Sequence, residues 1–140
     1  MPFQNDLNLK IQQLANLLAK ASDQVLQAQL SIGLAQFRIL KTVQANDRLL
    51  QRHIALELNQ SEASVSRQIK LLYDRQLLVT VLNPKDHRQR ITILTPKGSQ
   101  VLGAALLVLQ SFQTPLVKSL SKQQLSELIN ILDQIEDRVK

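Results

Sequence analysis

The sequence predicts a mainly helical fold that carries one small β-hairpin, and three observations support this prediction. Apolar residues recur at three- and four-residue steps over residues 6–30, and a second helical pattern runs from Leu34 to about residues 45–47. Between residues 78 and 95, β-branched residues alternate with others around a break at Asn83-Pro84. The length of 140 residues suits a single domain with one core.

The first and last helices carry more apolar surface than a small domain needs to bury internally. The first helix is expected over residues 6–30, and the last over residues 121–138 with Ser121 as its N-cap. The residues expected at a two-fold dimer interface are Leu7, Ile11, Leu14 and Leu18 at one end, and Leu125, Leu128, Leu132 and Ile135 at the other. The pattern therefore predicts a homodimer.

Two short helices joined by three or four residues are predicted in the middle of the chain. Ile54, Ala55 and Leu58 mark the inner face of the first helix of this pair. Asn59 can adopt the left-handed conformation that ends a helix, and Ser61 suits the N-cap of the next one. Because Ala55 is small, the two helices can cross closely, which is typical of a helix-turn-helix.

The second helix of the pair separates an apolar face from a polar one. Val65, Ile69 and Leu72 form the inner face by their spacing. The residues that we expect to contact DNA from the outer face and its flanks are Ser64, Ser66, Arg67 and Lys70. Serine hydroxyls suit base edges or phosphates, an arginine can bond guanine through two donors, and a lysine suits a phosphate. A solvated polar face is the alternative interpretation.

A cationic turn lies between the two strand-like runs, in the stretch "NPKDHRQRITILTPKG" (residues 83–98). Between Arg67 and Lys97 there are seven basic residues against two acidic ones, a net charge of +5 out of +6 for the whole chain. The second strand is expected over "RITILT", and a helix from Thr95-Pro96 to about residue 113 follows it. A helix-turn-helix followed by a basic hairpin is a winged helix, and its charge indicates a polyanionic partner.

These residues resemble those of the MarR family of winged-helix transcriptional regulators. The stretch "SVSRQIKLL" matches the family's recognition helix, and "DHRQRITILTPKG" matches its wing. The residues in register with the wing motif are Asp86, Arg88, Leu94, Thr95 and Gly98. Two positions differ: His87 stands where the family often has arginine, and Gln76 stands where glycine often follows the recognition helix.

The resemblance implies a single domain over residues 1–140. Its DNA-binding lobe would span residues 34–95, and its dimerisation helices would span residues 1–30 and 96–140. Such a protein is a dimeric DNA-binding repressor or activator. Of the two roles we expect repression, with double-stranded DNA as the partner and a near-palindromic operator as the site.

In the wing, the resemblance assigns separate roles to an arginine and a carboxylate. Arg88 would be the wing-tip residue that enters the minor groove, and Asp86 would order the wing through a salt bridge. Lys85, His87 and Arg90 complete the predicted DNA-binding set.

The resemblance also implies a small effector molecule, aromatic or anionic, bound between the dimer helices and the DNA-binding lobe. Phe37, Arg38, Arg52 and His53 are the residues that we associate with such a cleft. The identity of the effector, the operator sequence and the regulated genes cannot be read from the sequence.

Other classes of function are disfavoured by composition. The chain has no cysteine, which excludes disulfides and thiolate chemistry, and we expect no metal and no cofactor. Both histidines are isolated and no glycine-rich phosphate loop is present, so we expect no enzymatic activity. Residues 1–10 lack a signal-peptide pattern and no stretch suits a membrane span, so we expect a cytoplasmic protein. A helical protein-interaction module with an incidental basic face remains the alternative.

Overall fold

A computed structural model describes residues 2–46 and 50–140, with side chains from Asp6 onward. In these ranges the elements are α1 (Pro2–Leu30), α2 (Leu34–Ala45), α3 (Gln51–Glu57), α4 (Glu62–Asp74), β1 (Leu78–Asn83), β2 (Asp86–Leu94), α5 (Pro96–Leu116) and α6 (Lys122–Val139). The predicted mainly helical fold with one hairpin is confirmed. Of the residues expected at the end of the second helix, Asp47 lies outside the described residues.

The chain divides into two compact units, residues 1–109 and 110–140. The core of the first unit is aliphatic, and its one buried aromatic residue among those described is Phe37. Its fully buried large side chains are Leu26, Ile32, Ile39, Leu40, Ile54, Val65, Leu72, Leu77, Leu78 and Leu102. Burying a side chain of this size contributes about 1.5–3 kcal/mol. The three inward residues predicted for α4 are all buried, so the core fixes which face of α4 meets solvent.

The turn between α3 and α4 has the predicted local chemistry. Asn59 takes a left-handed backbone conformation with φ 52°. Ser61 is the N-cap of α4, and its hydroxyl accepts a hydrogen bond from the backbone N–H of Ser64 at 3.1 Å. Ala55 on α3 is buried, and α3 is in contact with α4. These features confirm the predicted helix-turn-helix.

The hairpin begins its second strand earlier than predicted. The strand was expected from Arg90, but β2 begins at Asp86, because the backbone of Asp86 pairs with that of Asn83 across a two-residue turn, Pro84-Lys85. Leu82 then pairs with Arg90. The intervening residues 87–89 have no partner on β1 and form a bulge, which we call the wing bulge.

Tight contacts join the end of α4 and the start of α5. Gln76 adopts φ 61°, the left-handed conformation for which glycine is usual. The Thr95 hydroxyl donates to Gln76 O at 2.6 Å and accepts from Gly98 N at 2.9 Å. A Cβ at Gly98 would overlap the carbonyl oxygen of Leu77. Glycine is therefore required at this position by the close approach of the Leu77 backbone, just before β1.

The last two helices begin as predicted, but α5 runs further than expected. It was expected to stop at about residue 113, before Pro115, whereas it ends at Leu116. Pro115 lies in the final turn, where a proline removes one backbone hydrogen bond without interrupting a longer helix. Ser121 caps α6 through a reciprocal capping box with Gln124. None of the described helices is both long enough and apolar enough to cross a membrane.

Candidate nucleic-acid interface

The outer face of α4 presents polar and cationic side chains to solvent. Ser66, Arg67 and Lys70 are exposed, whereas Ser64 is half-buried and its backbone N–H is used by the Ser61 cap. Within the described residues, the side chains of Arg67 and Lys70 make no hydrogen bond or ion pair. Their donors are therefore available to an external acceptor.

Tyr73, on the last turn of α4, links this helix to the hairpin. Its hydroxyl lies 3.3 Å from the Thr80 hydroxyl on β1. Its ring remains partly exposed. The contact ties the recognition helix to the first strand of the wing.

In the wing, the Asp86 carboxylate holds the arginine that follows it. Asp86 Oδ1 accepts a hydrogen bond from the backbone N–H of Arg88 at 3.1 Å and lies 3.5 Å from Arg88 Nε. The Arg88 side chain is nevertheless 92% exposed, against 40% for Asp86. Exposed ion pairs contribute about 0–1 kcal/mol to stability, so the main effect of this one is to orient the Arg88 side chain. Among the residues that the structure describes, the two terminal nitrogens of the guanidinium have no hydrogen-bond partner.

Two wing residues make contacts that the sequence did not predict: Asn83, expected only as part of a strand break, and Gln89, which was not singled out. Asn83 Oδ1 accepts from the backbone N–H of Lys85 at 3.0 Å, and Asn83 Nδ2 donates to Gln89 Oε1 at 3.1 Å. The first contact is an Asx turn, and an Asn directly before Pro was a signal for it. The second contact spans the wing bulge and depends on pairing that the sequence does not display.

The cationic residues of the stretch from Arg67 to Lys97 fall into two groups. Those exposed are Arg67, Lys70, Lys85, Arg88 and Arg90, and His87 is exposed beside them. Arg75 and Lys97, in contrast, donate to backbone carbonyl oxygens. Five of the seven basic side chains are thus left for a polyanion.

The residues predicted for dimerisation lie largely on the surface of the single chain. In the first unit, Leu7, Leu14 and Leu18 are exposed and Ile11 is half-buried. In the second unit, Leu128 and Leu132 are exposed, while Leu125 and Ile135 are half-buried. Leu9 and Leu17, which were not predicted, are also exposed on α1. Each unit therefore has an apolar helix face in contact with solvent.

Comparison with known proteins identifies the lobe that carries these side chains. A MarR-family model matches residues 30–89, which include α2, α3, α4, β1 and the whole wing bulge. Residues 30–89, which are 60 of the 140 residues of the chain, match the MarR family. This confirms the resemblance on which the sequence predictions drew.

A curated protein is also similar to this chain in sequence. An uncharacterized HTH-type transcriptional regulator of Staphylococcus aureus (strain Mu50) is 31% identical over 71 residues, which are 49% of this chain and 49% of that protein. The chain thus matches about half the length of its curated relative.

Two solved MarR structures have the same fold. The Staphylococcus aureus MarR in complex with salicylate and kanamycin is 21% identical, with a TM-score of 0.85, and the match covers 98% of this chain and 92% of that one. An E. coli MarR variant complexed with operator DNA is 19% identical, with a TM-score of 0.74, and the match covers 93% and 96%.

The four residues associated with an effector differ in their exposure to solvent. Phe37 is buried, whereas Arg38, Arg52 and His53 are exposed. A cavity of about 220 Å³ lies elsewhere in the first unit, at the ends of α2 and β2 and the start of α5. Its lining residues are Val43, Gln44, Asn46, Ile93, Leu94 and Ser99.

Proposed function

We propose that this chain is a sequence-specific DNA-binding transcriptional regulator that acts in the cytoplasm as a homodimer on a near-palindromic operator. The observation that carries the proposal is the wing: Asp86 directs Arg88, while the Arg88 side chain stays 92% exposed. A guanidinium that is oriented through Nε and exposed at its terminal nitrogens suits a narrow minor groove, whose enhanced negative potential attracts arginine.

The recognition helix supplies the second half of the interface. With Val65, Ile69 and Leu72 buried, α4 can lie in a major groove, which is about 12 Å wide. Arg67 then bonds a guanine edge, Lys70 a phosphate, and Ser64 and Ser66 base edges or phosphates. Lys85, His87 and Arg90 add contacts from the wing.

Dimerisation is proposed from the apolar helix faces. The predicted interface residues of α1 and α6 are exposed or half-buried in the single chain, and burying them against a second copy removes apolar surface from water. A two-fold dimer places two recognition helices about one DNA turn apart, roughly 34 Å. Sedimentation at micromolar concentration tests this, and a 15.8 kDa monomer with and without DNA would exclude it.

Repression and release by a small molecule complete the proposal. Release by a small molecule is supported by likeness to the Staphylococcus aureus MarR, which is in complex with salicylate and kanamycin. We propose that an aromatic or anionic molecule weakens operator binding. A reporter gene placed behind a selected operator should fall in expression when the chain is supplied, and a rise instead would assign activation.

The deciding experiment is selection of genomic DNA fragments, followed by binding measurements from 50 to 200 mM salt. A dimer that neutralises six to ten phosphates should lose about 10³–10⁵ in affinity over this range. Enrichment of one near-palindromic motif is expected. Absence of enrichment together with salt-independent, negligible binding would favour the alternative, a helical protein-interaction module built on the exposed leucines.

A further inference from the structure

Arg75 follows the last residue of α4 and is half-buried. Its guanidinium reaches back to the end of α1, where Nη1 donates to Ser31 O at 2.6 Å and Nη2 lies 3.4 Å from Leu30 O. The last carbonyl groups of a helix have no partner within the helix, and they carry the negative end of its dipole. A planar guanidinium that donates to the carbonyl of Leu30, the last residue of α1, and to that of Ser31, the next residue, fixes direction as well as distance.

The same segment is held from its other side by the start of α5. Lys97 Nζ donates to Arg75 O at 3.1 Å, the Thr95 hydroxyl donates to Gln76 O, and Thr95 N donates to Leu77 O at 3.1 Å. Residues 75–77 are therefore bonded to the end of α1 and to the start of α5 simultaneously.

We infer that Arg75 is a positioning residue that sets the angle between the recognition helix α4 and helix α1. Simple capping of α1 would be satisfied by any nearby donor. Arg75 instead joins two elements that are 44 residues apart in sequence, and its own backbone is bonded to a third element. Its guanidinium donates to these carbonyls, so Arg75 differs from the exposed cations of the interface, which are left for a polyanion.

The geometry of α4 gives this angle a large effect on the far end of the helix. With 13 residues, α4 is about 20 Å long, so a tilt of about 10° at its carboxyl end moves its amino end by about 3.5 Å. That displacement is close to the rise of one base pair, about 3.4 Å. Ser64, Ser66 and Arg67 lie near the end that moves most. Resting on the proposed function, Arg75 would thereby fix the spacing that a dimer reads.

A distance measurement tests the angle without DNA. The chain has no cysteine, so spin labels attached at Gln13→Cys on α1 and Glu62→Cys on α4 are the only ones present. The labelled chain is mixed with excess unlabelled chain, so that double electron–electron resonance reports the distance between the two labels of one molecule. A single narrow distance is expected, and Arg75→Met should broaden or shift it because the donors are lost while the aliphatic stem is kept.

Two further variants make the distance measurement decisive. Lys118→Met removes one exposed charge from the turn between α5 and α6 and should leave the distance unchanged. Arg75→Lys keeps the positive charge but lacks the planar, two-donor guanidinium, and it should still broaden the distribution of label–label distances. It also replaces Arg75→Met if circular dichroism shows that the methionine variant does not fold. An unchanged distribution in the folded Arg75 variants would overturn the inference.

DNA binding supplies the functional readout. The probes are the selected operator, the same operator with one base pair inserted at its centre, and a generic duplex. Arg75→Met should reduce the wild-type preference for the original over the inserted operator by about tenfold, with little change on generic DNA. Equal losses on all three probes would assign Arg75 to bulk charge or stability instead. If the wild-type chain binds none of them, the proposed function fails, and the spin-label distances still decide the role of Arg75.

Discussion

Asn83 and Gln89 are joined across the wing bulge by a hydrogen bond of 3.1 Å between their side-chain amides. Residues 87–89 have no partner on the opposite strand, so this bond closes the segment that contains Arg88. The Asn83–Gln89 hydrogen bond restrains the bulge at Gln89, and the Asp86 carboxylate restrains it at Arg88. Arg88 thus lies in a segment whose conformation is set by side chains on both strands.

Gln89→Met should weaken operator binding by freeing the wing bulge. The methionine keeps the length of the side chain but cannot accept from Asn83, so Arg88 must be ordered when DNA binds. We expect a loss of about threefold to tenfold, roughly 0.7–1.4 kcal/mol, by titration of a labelled operator. Gln100→Met, at an exposed position on α5, is the matched control.

A double-mutant cycle distinguishes positioning from direct contact. In the Arg88→Ala background, Gln89→Met should cost almost nothing further, because no arginine remains to be positioned. Fully additive losses would show that Gln89 acts on DNA independently of Arg88.

Arg88→Ala should weaken operator binding by about tenfold or more, about 1.4 kcal/mol, with no decrease in thermal stability. The stability expectation follows from the 92% exposure of the side chain. Arg88→Lys should recover only part of the affinity, because a compact ammonium is more strongly hydrated than a guanidinium. A melting curve and a binding titration on the same samples check both parts.

Asp86→Ala should weaken operator binding although it makes the wing more positive. The carboxylate that receives the Arg88 N–H and Nε is lost, so the arginine gains rotamers. Asp86→Asn removes the same charge but keeps an acceptor oxygen, and it should bind more tightly than Asp86→Ala. Tighter binding than wild type by both variants would mean that the carboxylate acts only as a repulsive charge.

Arg67 should contribute to sequence-specific binding, whereas Lys70 should contribute equally to binding of any DNA sequence. Arg67→Ala should cost about 1–3 kcal/mol on the operator and flatten the preference at one position of each half-site. Lys70→Ala should weaken operator and random DNA alike, because phosphates carry no sequence information. Equal losses on both DNAs for Arg67→Ala would place Arg67 on phosphate alone.

Gln76→Gly should raise the free energy of unfolding by about 0.5–1 kcal/mol. Gln76 has φ 61°, where a Cβ is unfavourable and glycine is not strained. Gln76→Ala keeps the Cβ and should give no gain, which makes it the matched control in urea unfolding. A lower stability for the glycine variant would show that the glutamine side chain compensates for the strain.

The parts of the fold that sequence predicted are those with local causes. Asn59, Ser61 and the spacing of Val65, Ile69 and Leu72 act within a few residues of one another, so the helix pair could be predicted. The start of β2 was missed because it depends on the pairing of Asn83 with Asp86 and on a bond from Asn83 to Gln89. Arg75 was counted only among the seven basic residues from Arg67 to Lys97, because its acceptors, Leu30 and Ser31, are distant in sequence. The DNA-contact and dimerisation residues stay predictions.

The intrinsic fluorescence of Tyr73 reports on the recognition helix α4. Tyr73 is the single tyrosine of a chain without tryptophan, it lies on α4, and its hydroxyl lies beside that of Thr80. Ultraviolet excitation at the tyrosine band therefore reports from one known position, with no background from other indoles or phenols. Changes in that emission follow the junction of α4 and β1 in the unmodified protein, so its response to DNA, salt or a candidate effector can be measured without attaching a dye.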